Sequence, residues 1–241
     1  MKKFFIEKEN LQNERAIISG DEFFHLSKVL RSQVGEKVQI LVGDEFVYNA
    51  EIENISKHEA ICKILGKEFC LANPKLNITI FQGLPKGEKL EWIIQKTSEL
   101  GASTLIPFES HFTIAKNNNL KFPRLEKIAQ EACKQCGRSI PLKIEPTIKF
   151  KEIPLMLKNF DVVLFMYEHA PTFNSLTNLT KKLEDAKNIA IIVGSEGGFS
   201  LQECEMLLKE NIEKVSLGKR ILRTETASIA MCAYVSFLTN N

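Results

Sequence analysis

The pattern of hydrophobic and polar residues changes near residue 72, and this change predicts two domains. Before it, hydrophobic residues alternate with polar ones over short stretches such as 38–42, the period of two that half-buried strands show. Residues 1–72 are therefore predicted to form a small β-rich domain. One helix, Glu22–Arg31, interrupts these strands, and Asp21 is expected to cap it with its side-chain oxygens.

From residue 73 to residue 241, hydrophobic strands are followed repeatedly by amphipathic helices. The predicted strands are Ile78–Leu84, Thr104–Phe108, Val162–Met166, Ile189–Val193 and Val215–Leu217. The predicted helices are Glu88–Leu100, Leu120–Cys136, Leu201–Glu210 and Thr224–Leu238. This alternation favours an α/β domain with a largely parallel sheet covered by helices.

The faces of two helices carry further information. In the helix 88–100 the inward stripe excludes Trp92, so this tryptophan indicates a second contact surface. In the helix 120–136 the apolar stripe leaves Lys127 and Lys134 on the other faces, with Arg138 just beyond the end of the helix. These three basic side chains are predicted to face outward together.

Composition and charge narrow the class of protein. Of the 241 residues, 44% are hydrophobic and 26% are charged, which is typical of a folded globular chain. The longest apolar run near the C-terminus, Ile229–Leu238, is about half of the ~20 residues that a bilayer requires, and the N-terminus lacks the apolar core of a secretory signal. We therefore expect a cytoplasmic protein with no membrane contact.

The net charge of +2 is distributed unevenly along the chain. Residues 73–241 contain 22 basic and 18 acidic residues, whereas residues 1–72 contain 10 and 12. The positive excess therefore lies in the second predicted domain, where it favours a polyanionic partner only weakly.

Six cysteines are expected to be reduced, because disulfides are typical of short secreted chains. The spacing Cys133-x-x-Cys136 suits a metal or redox site, but a structural zinc site needs four ligands and no second close pair of Cys or His occurs. Both thiols also lie on the apolar stripe of their helix. We interpret them as core cysteines and predict no metal.

A glycine-rich segment follows the apolar strand that ends at Val193. Three glycines occur within Gly194–Gly198, and glycines at the carboxyl end of such a strand allow backbone amides to approach a ligand. Ser200 and Glu203 then form a predicted capping box. The spacing matches neither a dinucleotide fingerprint nor a Walker loop, and a serine-hydrolase elbow would need glycine at position 193.

A second segment, 216–227, again runs from a strand end through a loop into a helix. Leu217, Ile221 and Leu222 could line an apolar slot for an adenine ring. Lys219, Arg220 and Arg223 could meet phosphates or a carboxylate. On composition alone, a surface loop whose leucine side chains pack against the protein explains the same residues equally well.

Taken together, these segments resemble the RsmE family of the SPOUT class of RNA methyltransferases, which makes 3-methyluridine in 16S ribosomal RNA. The resembling blocks are Gly83–Lys89, Gln95–Gly101, Gln135–Arg138, Gly194–Gly198 and Leu217–Ala227. The N-terminal Phe4-Phe5 and the stretch His25–Arg31 also look like the opening of that family. One departure is Ser195, where the family has proline.

The resemblance implies a fold, a cofactor and partners. The fold is an α/β SPOUT methyltransferase domain with a C-terminal trefoil knot, preceded by a small PUA-like β-barrel that binds RNA. The cofactor is S-adenosylmethionine, held in the knot loops. The expected partners are 16S ribosomal RNA or the small ribosomal subunit and a second copy of the chain in a homodimer, with no DNA.

The matching motifs also imply roles for particular residues. Glu196 is expected to accept the proton of uridine N3 and Arg223 to stabilise the developing negative charge. The residues expected to wrap the cofactor are Gly194, Gly197, Leu217, Gly218, Ile221 and Leu222. Those expected to hold RNA are Arg31, Lys86, Lys89 and Arg138. A uridine within paired RNA would have to be splayed out to expose N3.

Three alternatives remain open at this point. A SPOUT enzyme that modifies another RNA atom, such as a ribose 2′-oxygen, would share the cofactor loops and differ in its product. A non-catalytic RNA-binding or ribosome-assembly protein would bind RNA without turning over a cofactor. A nucleotide-dependent oxidoreductase would need the fingerprint that the chain lacks.

Overall fold

The computed structural model describes residues 1–115, 120–167, 174–208 and 212–239. The chain divides into two compact units. The first contains Met1–Asn73 together with Cys133–Pro141, and the second contains Pro74–Ala132 together with Leu142–Asn241. The first unit thus takes a short segment from the middle of the chain in addition to its N-terminal residues.

The first unit is built on a six-stranded sheet. Its strands are β1 (Lys2–Phe5), β2 (Leu11–Gln12), β3 (Arg15–Ser19), β4 (Lys37–Leu41), β5 (Phe46–Ile55) and β6 (Glu59–Phe69). They are ordered β1-β4-β5-β6-β3-β2; β1 pairs with β4 in parallel and the other pairs are antiparallel. Inward residues of alternating strands, such as Ile18, Val38 and Ile40, form one apolar cluster, which confirms the β-rich prediction.

The helix in this unit begins earlier than predicted. It runs over α1 (Gly20–Phe24) and continues as a π-helical turn, His25–Val29. Asp21 therefore lies in the first turn and is not the N-cap, so the predicted cap is wrong; Ser19 holds that position, without a side-chain capping bond. Arg31 has a φ of 48°, and this left-handed conformation ends the helical path.

The second unit contains a parallel sheet of seven strands. They are β7 (Asn77–Gly83), β8 (Thr104–Glu109), β9 (Lys143–Ile144), β10 (Ile148–Lys149), β11 (Val162–Met166), β12 (Asn188–Val193) and β13 (Glu213–Val215). The order is β10-β8-β7-β12-β11-β13, with β9 also paired to β8, and every pair is parallel. β11 and β12 are nearly continuous apolar runs, as is typical of parallel strands that are covered on both faces.

Helices lie on both faces of this sheet. They are α2 (Lys89–Glu99), α3 (Phe122–Cys136), α4 (Ile153–Met156), α5 (Asn174–Glu184), α6 (Leu201–Leu208) and α7 (Thr224–Thr239), with 3-10 turns at Phe150–Glu152 and Leu157–Asn159. A further 3-10 turn, Lys8–Asn10, belongs to the first unit. Ile189 and Ile191 of β12 pack in one cluster with residues of α2 and α7. Ala190 and Ile192 pack in a second cluster with residues of α6. The predicted α/β class with a parallel sheet is confirmed.

Within α2 the predicted faces are also confirmed. Ile93 and Ile94 are fully buried, whereas Trp92 is 53% exposed, and the ammonium of Lys96 lies over the Trp92 ring at 5.2 Å from its centroid. Among the described residues, no helix is long and apolar enough to cross a bilayer.

Candidate functional site

A cavity of about 490 Å³ opens where β11, β12 and β13 end. Two loops form most of its wall: the glycine loop, residues 194–200, follows β12, and the basic loop, residues 216–223, follows β13. The carboxyl ends of parallel strands are where open α/β sheets bind ligands. The volume lies within the range of small-molecule and cofactor sites, about 300–1,000 Å³.

The structure brings the predicted cofactor and catalytic residues together around this cavity. The lining includes Gly194, Gly197, Leu217, Gly218, Ile221 and Leu222, together with Glu196 and Arg223. Met166 and Tyr167 at the end of β11 also line it. Sequence reasoning did not select these two residues, although their place at the end of an apolar strand could have indicated them.

The glycine loop begins with a tight turn. The amide of Gly198 donates a hydrogen bond to the carbonyl of Ser195 at 3.0 Å, and Gly198 has a φ of 65°, which favours glycine. Ser195, which replaces the proline of the resembling family, is 7% exposed. The turn therefore begins at a buried serine and continues through exposed residues, Glu196 and Gly197.

Two glycines of this loop are required by their protein neighbours. A Cβ atom on Gly194 would lie 2.9 Å from the ring of Phe199, and one on Gly197 would lie 2.6 Å from the Cβ of Phe112. Real Cβ atoms hardly ever approach other atoms so closely. The sequence analysis explained these glycines by the approach of a ligand. The structure adds a second reason, which is that Phe112 and Phe199 leave no room for a side chain.

The end of the glycine loop is fixed by the predicted capping box, which is confirmed. The amide of Ser200 donates to Glu203 Oε2 at 2.8 Å, and the amide of Glu203 donates to Ser200 Oγ at 3.3 Å. Glu203 is 8% exposed, and its second oxygen accepts a hydrogen bond from the amide of His111 at 2.8 Å. One carboxylate thus holds both the start of α6 and the loop that follows β8.

Glu196 is part of an ion cluster at the edge of the cavity. Its Oε1 accepts hydrogen bonds from Lys89 Nζ at 2.6 Å and from the amide of Lys86 at 3.2 Å. The Lys89 ammonium also lies 3.7 Å from a carboxylate oxygen of Glu225. Three separate segments, the start of α2, the glycine loop and the first turn of α7, therefore meet through Lys89.

This cluster holds Glu196 in its ionised form. Burial raises the pKa of the Glu196 carboxyl, but the hydrogen bonds from Lys89 and Lys86 outweigh it, so the pKa lies below its ordinary value. The hydrogen bond that Lys89 donates to Glu196 raises the pKa of Lys89. At neutral pH the pair consists of a carboxylate and an ammonium ion, and this carboxylate is a good hydrogen-bond acceptor.

The four residues predicted to hold RNA have different environments. Arg31 and Lys86 are exposed, and Lys89 is occupied by its two carboxylate partners. Arg138 is 2% exposed, so the prediction that it faces outward is wrong. Its burial has a simple cause: Arg138 belongs to the segment of the first unit that packs with the N-terminal residues.

The outward placement of Lys134 is also wrong. Its side chain is 9% exposed and its ammonium pairs with Glu22 at 2.7 Å. Helical periodicity reports which side of α3 a residue occupies, but it does not report that another part of the chain covers that side.

Five of the six cysteines are buried, and Cys136 is partly exposed. Cys133 is fully buried and packs in a cluster with Phe5, Leu41, Val47 and Cys70, which confirms its interpretation as a core residue. Burial raises the pKa of the Cys133 thiol to about 12. Within the described ranges, no group of three or more His, Cys, Asp or Glu side chains could hold a metal ion.

Two family models match the chain, and both describe domains of RNA methyltransferases. Residues 72–236 match the model of an RNA methyltransferase domain, and residues 18–65 match that of an RNA methyltransferase PUA domain. The chain is 32% identical to ribosomal RNA small subunit methyltransferase E of Bacillus subtilis, over 99% of this chain and 97% of that protein. It is 35% identical to the protein of the same name from Buchnera aphidicola, over 94% and 89% of the two chains.

Solved structures agree with this assignment along the whole chain. The ribosomal RNA small subunit methyltransferase E of Neisseria gonorrhoeae, solved bound to S-adenosyl methionine, is 26% identical with a TM-score of 0.86, and the match covers 99% of this chain and 98% of that one. A probable rRNA-methyltransferase from Porphyromonas gingivalis is 26% identical with a TM-score of 0.85, over 100% and 99%. The chain therefore belongs to the RNA methyltransferase family whose members include ribosomal RNA small subunit methyltransferase E.

Proposed function

We propose that this protein transfers a methyl group from S-adenosylmethionine to N3 of a uridine in 16S ribosomal RNA. The observation that carries the proposal is the cavity at the ends of β11, β12 and β13, because both motif segments line it. The relatives that match almost the whole chain are methyltransferases of small-subunit ribosomal RNA by name. The trefoil knot that the resemblance implies belongs to the same proposal.

The cavity fits the chemistry of S-adenosylmethionine. Its wall offers apolar side chains from Leu217, Ile221 and Leu222 and backbone groups from Gly194, Gly197 and Gly218. Ile221 is 83% exposed, and a large apolar side chain at a cavity mouth gains stability when a flat ring covers it. These six residues are the ones we propose to hold the cofactor, which when bound supplies an electrophilic methyl group.

The protein's own groups must deal with the proton on N3. We propose that Glu196 accepts this proton as the methyl group is transferred, because its carboxylate is ionised and lies at the cavity edge. Its lowered pKa makes it a weak base, so the proton moves to it only as bond formation at N3 makes that proton more acidic. Arg223 lines the same cavity and is exposed, so its guanidinium can face the pyrimidine ring. Its fixed positive charge would stabilise the negative charge that develops on the uridine oxygens.

RNA binding is assigned to exposed basic residues of both units. Lys86 lies beside the cavity, where its own amide contacts Glu196, and its exposed side chain can hold a phosphate near the reacting base. Arg31 is exposed in the first unit, whose matched PUA domain is named for RNA methyltransferases. Lys89 would bind a phosphate only after releasing one of its two carboxylate partners. The buried Arg138 is not part of the proposed RNA surface.

A second copy of the chain is proposed to complete the RNA site. The support within this chain is the side of α2 that carries Trp92, because a half-exposed tryptophan is typical of protein interfaces. A ribosomal RNA substrate implies that the protein acts in the cytoplasm, where ribosomal subunits are assembled.

The proposal is tested by measuring cofactor affinity and methyl transfer on the same protein preparations. Wild-type protein should bind S-adenosylmethionine in calorimetry and methylate small-subunit RNA. Arg223→Ala should keep that affinity within a few-fold and lose about 10²-fold or more in turnover, the usual effect of removing a charge-stabilising donor. Arg124→Ala is the control, because Arg124 pairs with Glu91 outside the cavity. Full turnover by Arg223→Ala with bound cofactor would show that its catalytic role is wrong.

A further inference from the structure

A buried polar network lies directly beneath the cavity, and the proposed reaction does not use it. It consists of Gln82 near the end of β7, Thr224 at the start of α7 and Ser228 one turn later, which are 0%, 5% and 0% exposed. Gln82 Nε2 donates to Thr224 Oγ1 at 2.8 Å, and Thr224 Oγ1 donates to the carbonyl of Gly194 at 2.6 Å. Most polar side chains that are buried this deeply are hydrogen-bonded, as these three are.

The hydrogen count fixes the direction of the two bonds that the Thr224 hydroxyl makes. A threonine hydroxyl carries one hydrogen, so Thr224 can donate to Gly194 only if it accepts from Gln82. The second amide hydrogen of Gln82 goes to the carbonyl of Gly83 at 2.8 Å, and its oxygen contacts the hydroxyl of Ser228. Reversing the amide would place its oxygen against the Gly83 carbonyl, so the network determines the orientation of the amide.

The network joins the two loops that form the cavity wall. Gly194 is the first residue of the glycine loop, and Thr224 directly follows the basic loop; both also line the cavity. The single hydrogen bond from Thr224 to Gly194 therefore ties the start of one loop to the end of the other. Gln82 lies on β7, the strand adjacent to β12, and it holds the Thr224 hydroxyl in the donating orientation.

We infer that Gln82 and Thr224 are positioning residues for cofactor binding: they set the separation of the glycine loop and the basic loop before the cofactor enters. This inference rests on the proposed function, since it concerns the same cavity and S-adenosylmethionine as its ligand. A site that is held in its binding geometry binds more tightly because less ordering is required on binding. Neither residue is a catalytic group in this account.

The test separates the hydroxyl of Thr224 from its shape. Thr224→Val keeps the branched shape and removes the donor, whereas Thr224→Ser keeps the donor and removes a methyl group. We expect Thr224→Val to raise the calorimetric Kd for S-adenosylmethionine about tenfold, or about 1.4 kcal/mol, and Thr224→Ser to stay within about threefold of wild type, about 0.7 kcal/mol. A role in packing alone would give the reverse order.

Thr97→Val is a matched control for lost stability. Thr97 is also fully buried, but its hydroxyl donates to the carbonyl of Ile93 in its own helix at 2.7 Å. This variant loses one buried hydrogen bond, whereas Thr224→Val loses two, the bond to Gly194 and the bond from Gln82. Its melting temperature should therefore fall, but by less than that of Thr224→Val. Its affinity for S-adenosylmethionine should equal that of wild type.

A double-mutant cycle with Gln82→Met tests the proposed chain of bonds. Because Gln82 reaches the Gly194 carbonyl only through the Thr224 hydroxyl, the double variant Gln82→Met with Thr224→Val should bind about as weakly as the weaker single variant. Ser228→Ala keeps the test open should Thr224→Val fail to fold, and it should weaken binding by a few-fold.

The outcomes separate this inference from the proposed function. Absence of S-adenosylmethionine binding by the wild-type protein would overturn the proposed function and, with it, the inference. If the wild-type protein binds S-adenosylmethionine, three results would each overturn the inference alone. They are an unchanged affinity in Thr224→Val, additive effects in the double-mutant cycle, and equal losses of affinity in Thr224→Val and Thr224→Ser.

Discussion

Gly83 offers the sharpest test of how the cavity wall is built. It is the last residue of β7, and the backbone of the glycine loop passes directly over its Cα. A Cβ atom at this position would lie 2.4 Å from the amide nitrogen of Ser195 and 2.8 Å from the carbonyl carbon of Gly194. Both neighbours are backbone atoms, so no side-chain rotation can relieve the contact. Gly83→Ala therefore forces the loop and the strand apart.

The size of the effect follows from these distances. Ordinary van der Waals contact begins at 3.4 Å, so the loop must retreat by about 1.0 Å at Ser195. That movement is opposed on both sides, because Gln82 is in register with Val193 of β12 and Gly194 is packed against the ring of Phe199. Overpacking of this kind costs about 1–3 kcal/mol. The displaced segment also lines the cavity, so binding should suffer together with stability.

Two assays measure these two effects, and Gly66→Ala is the matched control. Gly66 lies within β6, and a Cβ there would meet nothing within 4 Å. In urea unfolding, Gly83→Ala should lower the free energy of unfolding by about 1–3 kcal/mol, whereas Gly66→Ala should change it by about 0.5 kcal/mol or less. In calorimetry, Gly83→Ala should weaken S-adenosylmethionine binding by about tenfold or more, about 1.4 kcal/mol. Wild-type stability and affinity in Gly83→Ala would refute the reasoning.

Three further predictions concern the capping box, the core thiol and the ion cluster. Ser200→Ala should lower the free energy of unfolding by about 1 kcal/mol, measured in urea; no loss would mean that the cap contributes nothing. Cys133, whose pKa is about 12, should resist iodoacetamide at neutral pH until the protein unfolds; rapid native labelling detected by mass spectrometry would contradict its burial. Because the pKa of Glu196 is lowered in the folded state, its contribution to stability is present above the ordinary carboxyl pKa and is lost as pH falls through the lowered one. The difference in melting temperature between wild type and Glu196→Gln should therefore shrink from pH 7 to about pH 3, and a constant difference would exclude this linkage.

The elements predicted well are those whose own pattern of hydrophobic and polar residues is sufficient to identify them. β12 is a continuous apolar run, and α7 was predicted to within one residue at its end. β1 was missed because a segment of four residues is too short to show an alternation of hydrophobic and polar positions. It forms a strand because it pairs in parallel with β4, more than thirty residues later in the chain. α5 was missed although its apolar residues follow a helical period as clear as that of α3.

The cavity could be located from the sequence because its wall comes from two contiguous segments. Each segment follows an apolar strand, and parallel strands of one sheet end at a common edge. The network beneath the cavity could not be found in this way. Gln82, Gly194 and Thr224 are far apart in sequence, and a glutamine near a strand end carries no signal that a threonine 142 positions later will accept its hydrogen.

The burial of Arg138 could not be predicted from the sequence pattern around it. A basic residue beyond the end of an amphipathic helix is exposed in most proteins, and the pattern of α3 itself contains no sign of a covering surface. Only the assembled first unit, which contains Cys133–Pro141 as well as the N-terminal residues, explains why this side chain is buried. For the same reason, α3 supplies less basic surface for RNA than its sequence indicates.

Identification of the methylated nucleoside is the decisive experiment for the proposed activity. Wild-type protein would be incubated with isotopically labelled S-adenosylmethionine and either unmodified small ribosomal subunits or naked 16S RNA, and the digested RNA would be analysed by mass spectrometry. The account predicts label in 3-methyluridine. Label in a different nucleoside, such as a 2′-O-methylated one, would keep the fold and contradict the assigned atom. Absence of label from both substrates, with the cofactor bound, would contradict the proposed methyl transfer itself.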